Sequence, residues 1–386
     1  MRKYVVLAAA ILLHLCLGGL YAWSTFVPAL RADFGYSAAQ MQTVFGLTVA
    51  VLCLGSVVAG RIQDLSGPRV VACISGVLLG AGYLLAGFGG HRYLWLLLGF
   101  SVLGGLSVSF GYIASVATAA KWFPERRGMA AGLVVAGYGA AAIVLSAVAE
   151  PLLNRGWSAP DVFKLVGVVY GPVALTAGLC LVLPAHARPA PHALAFRRRG
   201  LWTDRWFWFL LVAMFCGTYP GLALIGALKP MGLWFGYAPA VATASVSALA
   251  VGNGAGRIAW GAVHDRLKRR GSVLLLLAAI TASTAGVAAG GLHPALFLGS
   301  ALLLGFCYGG ALSLLPAEVA ELYGVHVMGS VYPIVLLGHA LAGILGAPVT
   351  GLGADRTGGY WPGILVALLV GAVGFTLCGH IRRCKK

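Results

Sequence analysis

Charge is what this chain has least of. Only 10% of its 386 residues are Asp, Glu, Lys or Arg, against about 25% in a soluble domain. Acids are scarcest, with ten carboxylates to 27 Lys and Arg. With 60% apolar residues and a mean hydropathy of +0.91, the chain cannot cover a water-facing surface. A soluble globular protein and a disordered chain are therefore excluded. The eight cysteines are scattered singly and form no Cys-x-x-Cys pair, so neither a disulfide framework nor a zinc site is supported. Alternating strand patterns of roughly ten residues are also missing, which argues against an outer-membrane barrel. No catalytic constellation is visible, so an enzyme is not expected, nor is a cofactor or a metal. The net charge of +17 would point to nucleic acid in a soluble protein. Here basic residues are read as markers of cytoplasmic loops, and no nucleic-acid partner is expected.

What remains is a polytopic, all-α membrane protein embedded in a lipid bilayer. Apolar runs fall at about 4–30, 41–59, 70–89, 93–120, 129–149, 163–183, 206–231, 239–260, 272–289, 294–316, 328–350 and 360–381, twelve candidate spans of about the 20 residues a bilayer needs. Arg2 and Lys3 before the first run imitate a signal peptide, but the run is too long for an h-region. With both termini inside, only Arg31, Arg92, Arg155, Lys164, Lys229 and Arg356 fall outside, and Arg257 falls in a span. That asymmetry sets the orientation. The longest polar stretch, 185–204, holds Pro189, Pro191 and the run Arg197, Arg198, Arg199. It reads as a cytoplasmic linker between an N-terminal half, 1–184, and a C-terminal half, 205–386.

The halves look like repeats. GRIQDLSGPR carries Gly60, Asp64, Gly67 and Arg69, and GAVHDRLKRR carries Gly261, Asp265, Arg266 and Arg269. An offset of 201 residues superimposes Asp64 on Asp265, Gly128 on Gly329, and Gly137-Tyr138 on Gly338-His339. Two parallel, pseudo-symmetric six-helix halves, with a site at the midplane between them, are the expected arrangement. The Gly-x-x-x-Asp-x-x-Gly-x-Arg motif, its degenerate copy (Lys268 stands at the later glycine) and the six-plus-six spans resemble the major facilitator superfamily. That resemblance implies the major facilitator fold and makes Asp64, Arg69, Asp265 and Arg266 conformational-gating residues.

No carboxylate is expected mid-span: Asp33, Asp64, Glu125, Glu150, Asp161, Asp204, Asp265, Glu318, Glu321 and Asp355 all fall in loops or at span ends. Arg257 is the exception among charges, roughly 12 Å along its helix from Asp265. Burying it costs at least about 2.5–3.5 kcal/mol. With no mid-span acid to neutralise it, its counter-ion is expected to be the substrate, since a guanidinium matches a carboxylate with two parallel hydrogen bonds. Asn253 shares its face at i, i+4. Gly252, Gly254 and Gly256 allow close helix packing and open space beside Arg257. His14 and His339 also lie deep and are candidates for proton coupling, although a buried histidine often only bridges helices. Tyr21, Tyr112, Tyr138, Tyr219, Tyr308 and Tyr332 recur within spans.

Within the superfamily, GGLYAWSTF, FGYIASVATAAKWFPERRGMAAG, AGYGAAA and GNGAGRIAWGAVHDR resemble the oxalate/formate antiporter and monocarboxylate transporter families. The resemblance implies a substrate carboxylate bound by Arg257, and a cavity lined by Tyr21, Tyr112, Tyr138 and Tyr308. Two departures matter. Where the oxalate exchanger type has a second lysine, this chain has His339, which when neutral favours a monoanion. Where proton-coupled carriers often have an aspartate, it has Asn253, which cannot titrate. The expected activity is alternating-access transport of small monocarboxylates of the lactate and pyruvate type, coupled to protons. The alternative is exchange of oxalate, formate or a related organic anion. A bacterial plasma (inner) membrane and a functional monomer are the accompanying expectations.

Overall fold

The computed structural model describes residues 2–89, 91–184, 200–267, 270–324 and 328–380, without the side chains of 127, 128, 265 and 328–330. The described residues contain helices and turns and no strand. In chain order the helices are α1 (Arg2–Phe34), α2 (Ala38–Gly89), α3 (Tyr93–Trp122), α4 (Arg127–Asn154), α5 (Ala159–Cys180), α6 (Arg205–Ile225), α7 (Leu228–Trp234), α8 (Pro239–Leu267), α9 (Arg270–Ala289), α10 (Pro294–Tyr323), α11 (Met328–Thr357) and α12 (Trp361–His380).

Among the described residues, ten helical stretches are long and apolar enough to cross a bilayer. One of them, α2, holds two spans. The helix α8 is not among the ten, because Asn253, Arg257 and His264 dilute its apolar content. Dividing α2 and adding α8 recovers the expected twelve spans.

Several boundaries differ from the sequence expectation. The Gly60 to Arg69 motif, expected as a loop, is helical on both sides of a break at Gly67, whose φ of 80° and ψ of 168° are open to glycine and strained for other residues. Pro68 follows, where a helix can begin without losing a hydrogen bond. The helix α10 passes through Pro316 and ends at Tyr323, since prolines are tolerated within spans when neighbours satisfy the backbone. Glu318, expected at a span end, is consequently buried.

The chain divides into two compact units, Met1–Ala190 and Pro191–Lys386. Most of the expected linker, 185–199, lies outside the described residues. In the first unit, Trp23 stacks on Phe100 with ring centroids 4.5 Å apart, and Phe26 meets Phe163 at 4.8 Å. Ser75 on α2 and Ser107 on α3 each donate to the other's carbonyl, at 2.7 and 2.8 Å. Such hydrogen bonds join helices where hydrophobic burial cannot distinguish protein from lipid.

In the second unit, α8 and α10 run parallel, with Leu249 against Gly305, Asn253 against Gly309 and Trp260 against Gly310. Gly252 and Gly256 press on the backbone of α10 at Leu302 and Phe306. The first helix of each unit is also interrupted: α1 tightens to a 3₁₀ turn over Gly18–Ala22, and Gly226 and Ala227 separate α6 from α7. Interrupted spans at corresponding positions of two repeats mark binding regions in carriers.

Candidate functional site

The first unit gathers four of the expected residues into one aromatic cluster. The His14 ring lies 5.1 Å from that of Tyr112 and 5.8 Å from that of Tyr138. Tyr21, in the 3₁₀ turn of α1, meets Tyr138 edge-on at 5.4 Å, and Tyr112 meets Tyr138 at 6.1 Å. His14 is fully buried. Its Nδ1 is 3.3 Å from the Ala10 carbonyl and 3.0 Å from Ser115 Oγ. The histidine is thereby tied to its own helix and to α3, which is the helix-bridging arrangement.

The second unit gathers the rest. Arg257 on α8 is half-buried and donates from Nε to Asn253 Oδ1 at 3.0 Å. This bond fixes the plane of the guanidinium. Asn253 is 1% exposed, and its Nδ2 has no hydrogen-bond partner among the described residues. Tyr308 on α10 and His339 on α11 are both buried, with Tyr308 Oη 3.5 Å from His339 Nε2. The Arg257 charge is close enough to act on the His339 ring. Gly221 of α6 closes on the Tyr308 ring. A fixed cation, an amide donor, a phenol and an imidazole thus share one neighbourhood.

The glycines beside Arg257 divide by face. Gly252 and Gly256 serve the packing against α10, whereas Gly254 has no neighbouring atom within 4 Å of where a Cβ would stand. Close packing and open space, compatible readings at the level of the sequence, both occur within one five-residue run.

Asp64 and Arg69 are exposed on either side of the Gly67 break, and Arg266 is exposed at the end of α8. The Asp265 side chain lies outside the described residues, as do Lys268 and Arg269.

A third cluster escaped sequence reasoning. His264 on α8 is 3.2 Å from Glu318 Oε1 through Nδ1 and 3.4 Å from Glu321 Oε2 through Nε2. Ser272 on α9 donates to the same Glu318 oxygen at 3.2 Å. The available signal was the pair Glu318 and Glu321 at i, i+3, two and five residues beyond a proline that does not end its helix. The ligand atoms lie within 4.8 Å of one another. Each carboxylate nevertheless meets a different ring nitrogen, so the imidazole bridges them, whereas one ion would use one ring nitrogen together with both carboxylates.

The comparisons with known proteins agree with this architecture. The family model described as Major Facilitator Superfamily matches residues 9–347. The chain is 26% identical over 358 residues to an uncharacterized MFS-type transporter, YhjX, of Escherichia coli (strain K12), covering 89% of this chain and 86% of the relative. It is 26% identical to the oxalate:formate antiporter of Oxalobacter formigenes, over 98% of this chain and 91% of that one. It is 28% identical to monocarboxylate transporter 11 of Homo sapiens, over 94% and 79%. The crystal structure of a D-xylose-proton symporter superposes with a TM-score of 0.72 over 99% of this chain and 98% of that one, at 14% identity, a likeness of fold alone. With the family model spanning most of its length and twelve spans in place, the chain belongs to the Major Facilitator Superfamily of membrane transporters.

Proposed function

We propose that this transporter is a secondary carrier of small monocarboxylates of the lactate and pyruvate class, moving them together with a proton by alternating access. The observation that carries the reading is the α8 clasp, a guanidinium within a span held by Asn253 Oδ1 at 3.0 Å, beside a buried amide donor with no partner among the described residues. Arg257 attracts the carboxylate and Asn253 Nδ2 donates to it. Tyr308 and His339 limit its size in the second unit, as Tyr21, Tyr112 and Tyr138 do in the first. Asp64, Arg69, Asp265 and Arg266 act in gating at the cytoplasmic ends. The protein works as a monomer in a plasma membrane of the bacterial inner type, with both termini in the cytoplasm and the halves 1–184 and 205–386 joined by the linker 185–204.

The test is uptake of labelled lactate into proteoliposomes under an inward proton gradient, without internal anion. Accumulation that collapses with an uncoupler and disappears in Arg257→Ala supports the proposal. Wild-type uptake by Arg257→Ala refutes it. The likeness to an oxalate:formate antiporter over nearly the whole chain favours a second reading, anion exchange. In that case uptake appears only in vesicles preloaded with oxalate or formate.

A further inference from the structure

We propose that His264, Glu318 and Glu321 form the proton-binding site of the transport cycle. The inference rests on the reading of the chain as a proton-coupled carrier and adds to it the site where the proton resides.

Proton accounting carries the argument. A neutral imidazole has one N–H, and an ionised carboxylate only accepts. Here both ring nitrogens face carboxylate oxygens, Nδ1 at 3.2 Å from Glu318 and Nε2 at 3.4 Å from Glu321. The Nδ1 contact is an ion-pair distance without hydrogen-bond geometry, so a neutral ring gives buried Glu318 no donor from His264. One further proton, on the ring as imidazolium or on a carboxyl group, either gives the ring a charge to set against the carboxylates or removes a buried carboxylate charge. Glu318 offers a place for it. The residue is 1% exposed, and its Oε2 has no hydrogen-bond partner among the described residues. An ionised oxygen left so is costly, and a proton there removes the charge without displacing any bond. The proton comes from water and returns to water, and only an N–H or O–H bond is made and broken.

The groups acting on Glu318 are His264 from α8, Ser272 from α9 and Glu321 from its own helix. Farther off, Arg266 is exposed on α8, Arg270 of α9 donates to the Gly379 carbonyl of α12, and Tyr323 of α10 donates to Asp204. On α11, His339 lies against Tyr308, ten residues from Glu318 along α10.

The cluster is mechanically joined to the proposed carboxylate site. At about 100° per residue, Asn253, Arg257 and His264 fall within a stripe of about 40° on α8. His264 is seven residues beyond Arg257, roughly 10 Å along the axis. Glu318 lies on α10, the helix that also carries Tyr308. The extra proton ties α8 to α10, and its loss leaves a neutral ring on α8 facing two carboxylates of α10. The same two helices hold the substrate groups, so proton occupancy bears directly on their spacing.

Two measurements on the purified full chain decide the proposal. The first is an infrared titration between about pH 5 and 9, the range in which histidine chemistry operates, comparing wild type with Glu318→Gln and His264→Asn. The proposal expects one proton per chain to bind with a protonated-carboxyl or imidazolium signature that both variants lose. Identical titrations in all three proteins overturn it, and a wild type without any such signature does so even if the variants fail to fold. The second compares labelled L-lactate counterflow at equal pH with accumulation driven by one pH unit, which is worth about tenfold for a one-to-one symporter. The ratio of driven accumulation to counterflow is expected to fall about tenfold in Glu318→Gln and to recover in part in Glu318→Asp. A wild-type ratio in Glu318→Gln overturns the proposal. A wild type that moves no lactate in either mode refutes the monocarboxylate reading instead, and the titration then decides the proton site alone.

Discussion

Two glycines of the GNGAG run, two residues apart, should respond in opposite ways to the same added methyl group. A Cβ on Gly256 would overlap the Phe306 carbonyl oxygen of α10 and stand 2.7 Å from its carbonyl carbon. The obstacle is helix backbone, which cannot swing aside as a side chain can. Overpacking of this kind costs about 1–3 kcal/mol, and a rigid neighbour argues for the upper end. Alanine returns about 0.8–1 kcal/mol of helix propensity, so Gly256→Ala should lose about 2 kcal/mol. Gly254 meets nothing within 4 Å and should keep the propensity gain of about 0.8–1 kcal/mol. The two variants should thus differ by about 3 kcal/mol, or more than a hundredfold in the folding equilibrium. Reversible unfolding of the purified chain in mixed micelles, followed by circular dichroism, measures the difference. Equal stabilities, or Gly254→Ala as the weaker variant, would refute the assignment of Gly256 to the α8–α10 seam and Gly254 to open space.

Asn253→Asp places a carboxylate on the group that now accepts from Arg257, so at neutral pH it should compete with the substrate for the guanidinium and depress lactate uptake. Uptake should recover as the pH falls and the new acid is neutralised; a pH profile identical to wild type rejects Arg257 as the anion site. His14→Gln should leave the pH profile of uptake in place, because the ring joins α1 to α3 through Ser115. His339→Gln should raise the KM for lactate at an unchanged ratio of driven accumulation to counterflow, and a collapse of that ratio would instead make His339 the proton carrier. Leu65 and Leu292 are 82% and 84% exposed and lie on opposite expected sides. In a cysteine-free background, a membrane-impermeant maleimide applied to intact cells should label Leu292→Cys and spare Leu65→Cys; the reverse pattern inverts the topology.

The span number and the helical class were legible because each span must satisfy its own backbone in lipid, which requires long apolar runs. Asn253 and Arg257 were legible as neighbours because four residues on a helix always share a face. The cluster of His14, Tyr21, Tyr112 and Tyr138 joins three helices, and the spacing of its members within each helix does not reveal that they meet. Glu318 was misplaced for a related reason. Pro316 reads as a stop when only local rules apply, yet the helix continues to Tyr323, and the buried Glu318 meets His264 and Ser272, 54 and 46 residues earlier in the chain. The Gly60 to Arg69 motif read as a loop from its polar composition, whereas one glycine at φ 80° is all the irregular backbone the turn needs.

The polar stripe of α8 is best understood as an incomplete balance. An arginine in a span costs at least about 2.5–3.5 kcal/mol, and a hydrogen bond to a charged group returns about 1.5–3 kcal/mol. The Asn253 clasp therefore offsets part of the cost, and a buried amide donor without a partner among the described residues stands beside it. A leucine at 257 would be cheaper for folding alone. In the proposed function an arriving carboxylate meets the Arg257 guanidinium and supplies an acceptor for Asn253 Nδ2. An uncharged sugar would satisfy the amide and leave the charge. A free inorganic cation would satisfy neither. The proposed proton site lies at a distance from the proposed anion site for the same reason. A titrating acid at position 253 would compete for the guanidinium, whereas His264 and Glu318 lie about two turns along the same stripe.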